Sequence, residues 1–170
     1  VHGDNRGWFK ENFQKEKMMP LGFPESFFAE EKLQNNVSFS RKNVLRGLHA
    51  EPWDKYISVA DGGSVLGAWV DLREGENFGH VYQTVIDASK GIFVPRGVAN
   101  GFQVLSDTVS YSYLVNDYWA LELKHKYAFV NYADPTLGIK WEDVENAEVS
   151  EADKNHPLLK DVKALKADEL

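Results

Sequence analysis

A succession of short strand-like runs, divided by turn chemistry, constrains this chain more than any other feature. Lys55 to Ala60 gives way to Asp61-Gly62-Gly63-Ser64, a glycine-rich turn suited to a hairpin, and Val65 to Leu72 follows. A loop over Arg73 to Gly79 leads into Val81 to Asp87. There Val81, Gln83, Val85 and Asp87 face one way and Tyr82, Thr84, Ile86 and Ala88 the other. Ile92-Phe93-Val94 ends at the turn signal Pro95-Arg96-Gly97. Gly101 to Leu105 and Val109 to Val115 read as a further hairpin joined by Ser106-Asp107, and Tyr127 to Tyr132 as one more strand. Helical signals lie at the ends. They predict a short helix over Glu11 to Met19, stopped by Pro20, and a capped start at Ser150-Glu151-Ala152-Asp153 before a polar, solvated tail. Many short strands at even spacing predict a mainly β fold: an antiparallel barrel or jelly roll with short peripheral helices.

The stretch from Gln34 to His49 adds a clue to function. Val37, Phe39, Val44, Leu45 and Leu48 can supply one apolar face of β-structure. The other face carries an amide-rich set, alternating hydroxyls at Ser38 and Ser40, then Arg46 and His49. Polar residues on a strand are most simply solvated. Arg and His ending such a face just before Pro52-Trp53 point instead to a pocket lined from inside a barrel.

Length and composition narrow the classes. The 170 residues, with no repeat, low-complexity segment or long linker, read as a single domain over residues 1–170. The chain opens at Val1 without an initiator Met and reaches Asp4-Asn5-Arg6-Gly7 almost at once, which leaves open whether native residues precede it. No apolar run approaches the ~20 residues of a membrane span, and no secretory signal is visible. Cysteine is absent, which removes disulfides, thiolate metal sites and a Cys nucleophile and fits a reducing cytoplasm. A net charge of −7 disfavours nucleic acid as a partner, while a few local arginines still suit one phosphorylated ligand.

The histidines are His2, His49, His80, His125 and His156, with no His-x-His or His-x-x-x-His pair, so no metal site is expected. His2, His80 and His125 read as surface residues and His156, before Pro157, as structural. His49 differs. Arg46 lies three residues before it and Lys55 six after, and nearby cations favour the neutral ring that a general base needs.

The motifs, taken in order, resemble one family. They are Asp4-Asn5-Arg6-Gly7-Trp8-Phe9, Gln34-Asn35-Asn36-Val37-Ser38, Val44-Leu45-Arg46-Gly47-Leu48-His49, Lys55-Tyr56-Ile57, and Val70-Asp71-Leu72-Arg73 with Phe78-Gly79. Val94-Pro95-Arg96-Gly97-Val98-Ala99-Asn100-Gly101-Phe102, Tyr113 with Tyr118, Asp134-Pro135 with Ile139-Lys140-Trp141, and Val149-Ser150-Glu151-Ala152-Asp153 follow. Each is weak alone, but their order and spacing over nearly the whole chain resemble the dTDP-4-keto-6-deoxyglucose 3,5-epimerases. The resemblance implies a cupin-type jelly roll, a homodimer, and no metal or organic cofactor. It implies inversion at C3 and C5 of a dTDP-4-keto sugar through enolates. Carried onto this chain, it makes His49 the base, Asp153 its carboxylate partner, Lys55 the enolate stabiliser and Tyr113 the acid on the opposite sugar face. It gives Arg6 and Arg46 to the diphosphate, Phe9, Glu11 and Gln34 to the base, Asn36 to the sugar or phosphate, the position of Asn100 to the sugar, and Trp119 to the pocket wall.

The chain departs from the family pattern in three places. The connection from His49 to Lys55 is short, only Ala50-Glu51-Pro52-Trp53-Asp54. Asn100 stands where many members carry a histidine; it can donate and accept a hydrogen bond but cannot carry a proton near neutral pH. The spacing from Tyr113 through Tyr118-Trp119 to Glu122 is compressed. The competing readings are a mono-epimerase or ketoisomerase on a related nucleotide sugar, a non-catalytic nucleotide-sugar-binding cupin, and a metal-dependent cupin oxygenase.

Overall fold

The computed structural model describes residues 1–29 and 32–170. β1 (His2–Asp4) and β2 (Gly7–Phe9) form a separate antiparallel hairpin, exposed along both strands. The helix expected over Glu11 to Met19 is shorter: α1 spans Lys15–Met18, because Gln14 is extended and offers no side-chain cap. Pro20 does not stop it either. It enters a 3-10 turn, Met19–Leu21, near its start, where a missing N–H leaves no bond unmade. α2 (Glu25–Ala29), unforeseen in the sequence, buries Phe27 in an aromatic cluster with Phe23, Phe28 and Phe93.

Eight strands follow: β3 (Gln34–Arg41), β4 (Val44–Ala50), β5 (Lys55–Val59), β6 (Val65–Asp71), β7 (Val81–Ile86), β8 (Gly91–Val94), β9 (Val98–Val104) and β10 (Thr108–Val115). Two short ones complete the set, β11 (Ala128–Phe129) and β12 (Glu148–Val149), with α3 (Glu151–Lys154) directly after. β9 starts earlier than the expected Gly101, the expected strand over Tyr127 to Tyr132 contracts to β11, and neither expected hairpin forms: β5 and β6, like β9 and β10, lie in different sheets, so their turns cross between the sheets. One sheet has the order β3-β10-β5-β8; the other runs β11-β4-β9-β6-β7, with β12 added to β4 in parallel and every other pair antiparallel.

The sheets face each other across a core of Ile57, Val59, Val65, Trp69, Ile86, Val94, Phe102, Val104, Val109 and Tyr111. This is the jelly-roll barrel that the even strand spacing predicts. Alternation along β6 sends Val65 and Trp69 inward and Ala68 and Val70 to a second cluster on the outer face. Leu159, Val162 and Leu165 pack on that outer cluster. The tail is therefore docked rather than solvated, and Leu165 is pinned between the backbones of Leu72 and Glu74. On β3 the polar residues Gln34, Asn36, Ser38 and Ser40 turn inward as expected. The companion expectation fails: Val37 and Phe39 are 60% and 61% exposed and supply no core.

Candidate active site

The barrel mouth opens into a pocket of about 910 Å³, and the strands deliver its chemistry from both sheets. Three residues apart on a regular strand, Arg46 and His49 would face opposite ways. The register of β4 against β9 shifts between them, and both line the pocket. A pair of glycines permits this. Gly47 has φ +125°, and a Cβ there would lie 2.6 Å from the Gly101 Cα; a Cβ on Gly101 would lie 2.6 Å from the Arg46 carbonyl oxygen.

The His49 Nε2 is 2.7 Å from the Asp153 Oδ1. Asp153 is buried just after the start of α3, where its backbone N–H donates to the Ser150 Oγ at 3.1 Å. The capping expected of Ser150 and the carboxylate role assigned to Asp153 thus coexist. The Gly47 N–H donates to the Asp153 Oδ2 at 3.3 Å. Burial alone would push the Asp153 carboxyl up. The hydrogen bond from His49, its charge, the Gly47 N–H and His156 outweigh that and hold it below the usual carboxylate value.

His156 completes this corner. Its Nε2 lies 3.0 Å from the same Asp153 Oδ1, and its ring stacks on Phe129 with centroids 4.5 Å apart. His156, read from the sequence as structural, thus lies in the pocket and bonds the same carboxylate as His49. Burial, then the neighbouring His49, depress its basicity. A spacing of three from Asp153, close to one helical turn, was the available signal. His49, Asp153 and His156 bring one ligand atom each within 4.8 Å of one another, close enough to bridge a metal ion, but hydrogen bonds already join these atoms.

Lys55 opens β5 from the facing sheet, buried to 5%. Its ammonium pairs with Glu51, lies 3.5 Å from the Asn100 Oδ1 and sits 5.6 Å from the centre of the Tyr113 ring. The Asn100 Nδ2 donates to the His49 carbonyl oxygen at 2.7 Å and to the Glu51 carboxylate at 3.2 Å. Lys55 is therefore a paired cation, not the bare charge beside His49 that spacing suggested. Next door, the buried Asp54 accepts from the Arg96 N–H at 2.8 Å and from the Arg96 side chain, while its own N–H donates to the Asn116 Oδ1 at 2.9 Å. That clamp fixes the backbone from which Lys55 departs.

Tyr113, on β10, faces the pocket with its hydroxyl pushed up by burial first and the Glu51 charge second, Arg46 opposing. Arg46 lines the pocket with its Nε 3.3 Å from the Ser40 Oγ. Trp119 lines the rim, and its backbone N–H donates to the Gln34 Oε1 at 3.2 Å. The Gln34 Nε2 in turn donates to the Asn36 Oδ1 at 2.6 Å, so these amides adjoin the pocket wall without being among its lining residues. Arg6, Phe9 and Glu11 are not among the lining residues either. Arg6 pairs with Asp4, Glu11 with Lys17, and Phe9 is 65% exposed. His2, His80 and His125 are exposed, as expected.

A family model described as dTDP-4-dehydrorhamnose 3,5-epimerase matches residues 1–161. The chain belongs to the dTDP-4-dehydrorhamnose 3,5-epimerase family. It is 84% identical over 170 residues to the RmlC homolog of Streptococcus pyogenes serotype M6, covering 100% of this chain and 86% of that one. It is 32% identical over 162 residues to the dTDP-4-dehydrorhamnose 3,5-epimerase of Escherichia coli K12, covering 91% and 83%. The solved RmlC of Streptococcus suis in complex with dTDP-D-xylose superposes with a TM-score of 0.97 at 86% identity, over 100% of this chain and 88% of that one. The family's jelly roll is the barrel described above, and its motif positions His49, Lys55, Asn100, Tyr113 and Asp153 converge on one pocket. Glu51 and His156 are among the pocket groups that sequence reasoning did not assign to the site.

Proposed function

We propose that His49 and Tyr113 invert the sugar carbons from opposite walls, with Lys55 between them holding the ketone oxygen. The chain is an isomerase that converts dTDP-4-keto-6-deoxy-D-glucose to dTDP-4-keto-L-rhamnose, in dTDP-rhamnose biosynthesis. One observation carries the mechanism. His49 comes from β4 in one sheet and Tyr113 from β10 in the other, and both line the same pocket.

The ketone at C4 acidifies the hydrogens on C3 and C5. Asp153, ionised and only an acceptor, requires the proton of neutral His49 on Nε2, which leaves Nδ1 as the basic nitrogen. That nitrogen takes a proton from one face of the carbon, and the electron pair moves onto the C4 oxygen. Lys55 donates to the resulting enolate. Tyr113, protonated because burial and Glu51 raise it, returns a proton on the other face. His49 then releases its proton to solvent and Tyr113 regains one, and the cycle repeats at the second carbon. No step calls on a metal or an organic cofactor. Arg46 binds the diphosphate, and Asn100 the sugar.

We further propose a cytoplasmic homodimer in which the second copy's hairpin brings Arg6, Phe9 and Glu11 to the nucleotide. Two features support this: those residues lie off the pocket of their own chain, and edge strand β3 exposes Val37 and Phe39. No described helix is long and apolar enough to cross a membrane.

Incubation with the 4-keto-6-deoxyglucose nucleotide in deuterated water tests the reading. Deuterium at both C3 and C5, in an L-configured product trapped by a reductase, is expected. Exchange at one carbon alone would make the chain a mono-epimerase and turn attention to Asn100.

A further inference from the structure

Glu51 is a carboxylate in the floor of the pocket that the mechanism above leaves without a task. It lies in the short turn between β4 and β5, and its side chain is 13% exposed. It meets two groups. It pairs with the Lys55 ammonium, and it accepts from the Asn100 Nδ2 at 3.2 Å. Asn100 closes the ring by presenting its Oδ1 to Lys55 at 3.5 Å, and is itself anchored by donating to the His49 carbonyl oxygen at 2.7 Å. An ammonium has three N–H donors. Among the described residues Glu51 and Asn100 occupy two, and one remains.

We propose that Glu51 is a positioning residue for the epimerisation, holding the Lys55 ammonium so that its one uncommitted N–H meets the sugar's C4 oxygen. The proposal rests on the assignment of Lys55 as enolate stabiliser. A carboxylate beside a developing enolate is repulsive on Coulomb grounds alone. Pairing with Lys55 removes that objection, because the pair is neutral and presents an oriented N–H. The short His49-to-Lys55 connection makes this possible. It places Glu51 four residues before Lys55, so the base, the positioning carboxylate and the ammonium come from one turn and the two strand ends that flank it.

Glu51 has a second effect, on the acid. The charged and titratable groups facing Tyr113 are Glu51, Arg46 on β4, Lys55 on β5, Tyr111 two residues away on β10, and Tyr127 after the 3-10 segment Leu121–Lys126. β3 presents the uncharged Asn36 opposite. After burial, Glu51 is the largest influence holding the Tyr113 hydroxyl up, and Arg46 pulls the other way. Loss of the Glu51 charge therefore brings Tyr113 down.

The test uses the full chain with its nucleotide-sugar substrate and four variants. Glu51→Gln keeps an acceptor for Asn100 but removes the charge. It should lower kcat by ~10- to 100-fold, as misplacing a reacting group does, leave KM and dTDP binding nearly unchanged, and move the alkaline limb of kcat to lower pH. Glu51→Asp keeps the charge on a shorter arm, so it should lower kcat while leaving that limb in place. With Lys55→Met as background, and at a pH below the alkaline limb, Glu51→Gln should cost less than about twofold further in kcat, because there the effect passes through Lys55. Wild-type kcat in Glu51→Gln, or a full additional loss in the Lys55→Met background, would overturn the proposal. If Glu51→Gln loses dTDP binding and unfolds, Glu51→Asp decides: wild-type kcat there overturns the proposal equally. Wild-type kcat in Lys55→Met alone would refute the enolate assignment itself, a failure distinct from that of Glu51.

Discussion

The pocket floor and the N-terminal segment both carry residues of the family's motifs, yet they are built in opposite ways. In the floor, His49, Asp153, His156, Glu51, Lys55 and Asn100 are tied to one another by hydrogen bonds or ion pairs and drawn from both sheets. On the hairpin and just after it, Arg6, Phe9 and Glu11 are exposed and bonded only locally, Arg6 to Asp4 and Glu11 to Lys17. Exposed pairs of that kind hold a side chain weakly, and these residues do not line the pocket of their own chain. The contrast separates two jobs. Proton transfer demands groups fixed to fractions of an ångström, which one barrel can provide. On the homodimer proposed above, part of the grip on the nucleotide would come from the hairpin of the second copy, beside Arg46 of this pocket.

That division orders the effects of substitution. His49→Ala removes the base from the floor and should lower kcat by ~10²–10⁴-fold while dTDP still binds; single-turnover NMR with calorimetric binding checks both halves. Near-wild-type turnover would end the assignment. Asp153→Asn keeps the shape but presents an amide to the His49 Nε2, and should lower kcat by ~10²-fold or more by favouring the wrong tautomer.

The same variant tests a stability claim. The folded-state carboxyl of Asp153 is held below its ordinary value, so its contribution is present above the unfolded pKa, about 3.9, and is lost as pH falls through the folded value. The wild-type advantage over Asp153→Asn in urea unfolding should therefore be constant at neutral pH and shrink in acid below ~4. An advantage that grows in acid would mean the carboxyl is not depressed.

Arg6→Ala tests the hairpin. Loss of a charged hydrogen bond to phosphate costs ~1.5–3 kcal/mol, so KM should rise by roughly tenfold or more with kcat unchanged, a loss of uniform binding. An equal loss in kcat would place Arg6 with the chemistry and blur the two regions. The smallest effect is expected of His156→Phe, which keeps the stack on Phe129 and deletes one hydrogen bond to Asp153. Such a bond contributes ~0.5–1.5 kcal/mol net, a few-fold in kcat. A hundredfold loss would promote His156 to a full partner of the base.

Much of the floor was legible in the sequence because local pattern and global fold agree there. Alternation in Gln34 to Ser40 announced an inward polar face, and the structure turns Ser38 into the pocket. The partner face was misjudged because Val37 and Phe39 are apolar without being core, and patterning cannot tell a core face from one left exposed by the chain itself. Glu51 was missed because it lies in a turn, where no periodicity reports direction. His156 was missed because its role depends on the carboxylate that α3 presents. The docked tail was missed because Leu159, Val162 and Leu165 are too sparse among charges to show a period, although the outer face of the sheet needed covering. The helix expected from Glu11 contracted to one turn because only tertiary packing sustains so short a helix.

The opposite-wall placement of base and acid is tested most directly by Tyr113→Phe with the substrate in deuterated water, following loss of the C5 proton and formation of the inverted product separately. Proton loss should continue at near the wild-type rate, because His49 and Lys55 are untouched, while inversion falls by ~10²-fold or more without its acid. Equal and mild effects on both would contradict it, and would mean that a group other than Tyr113 returns the proton.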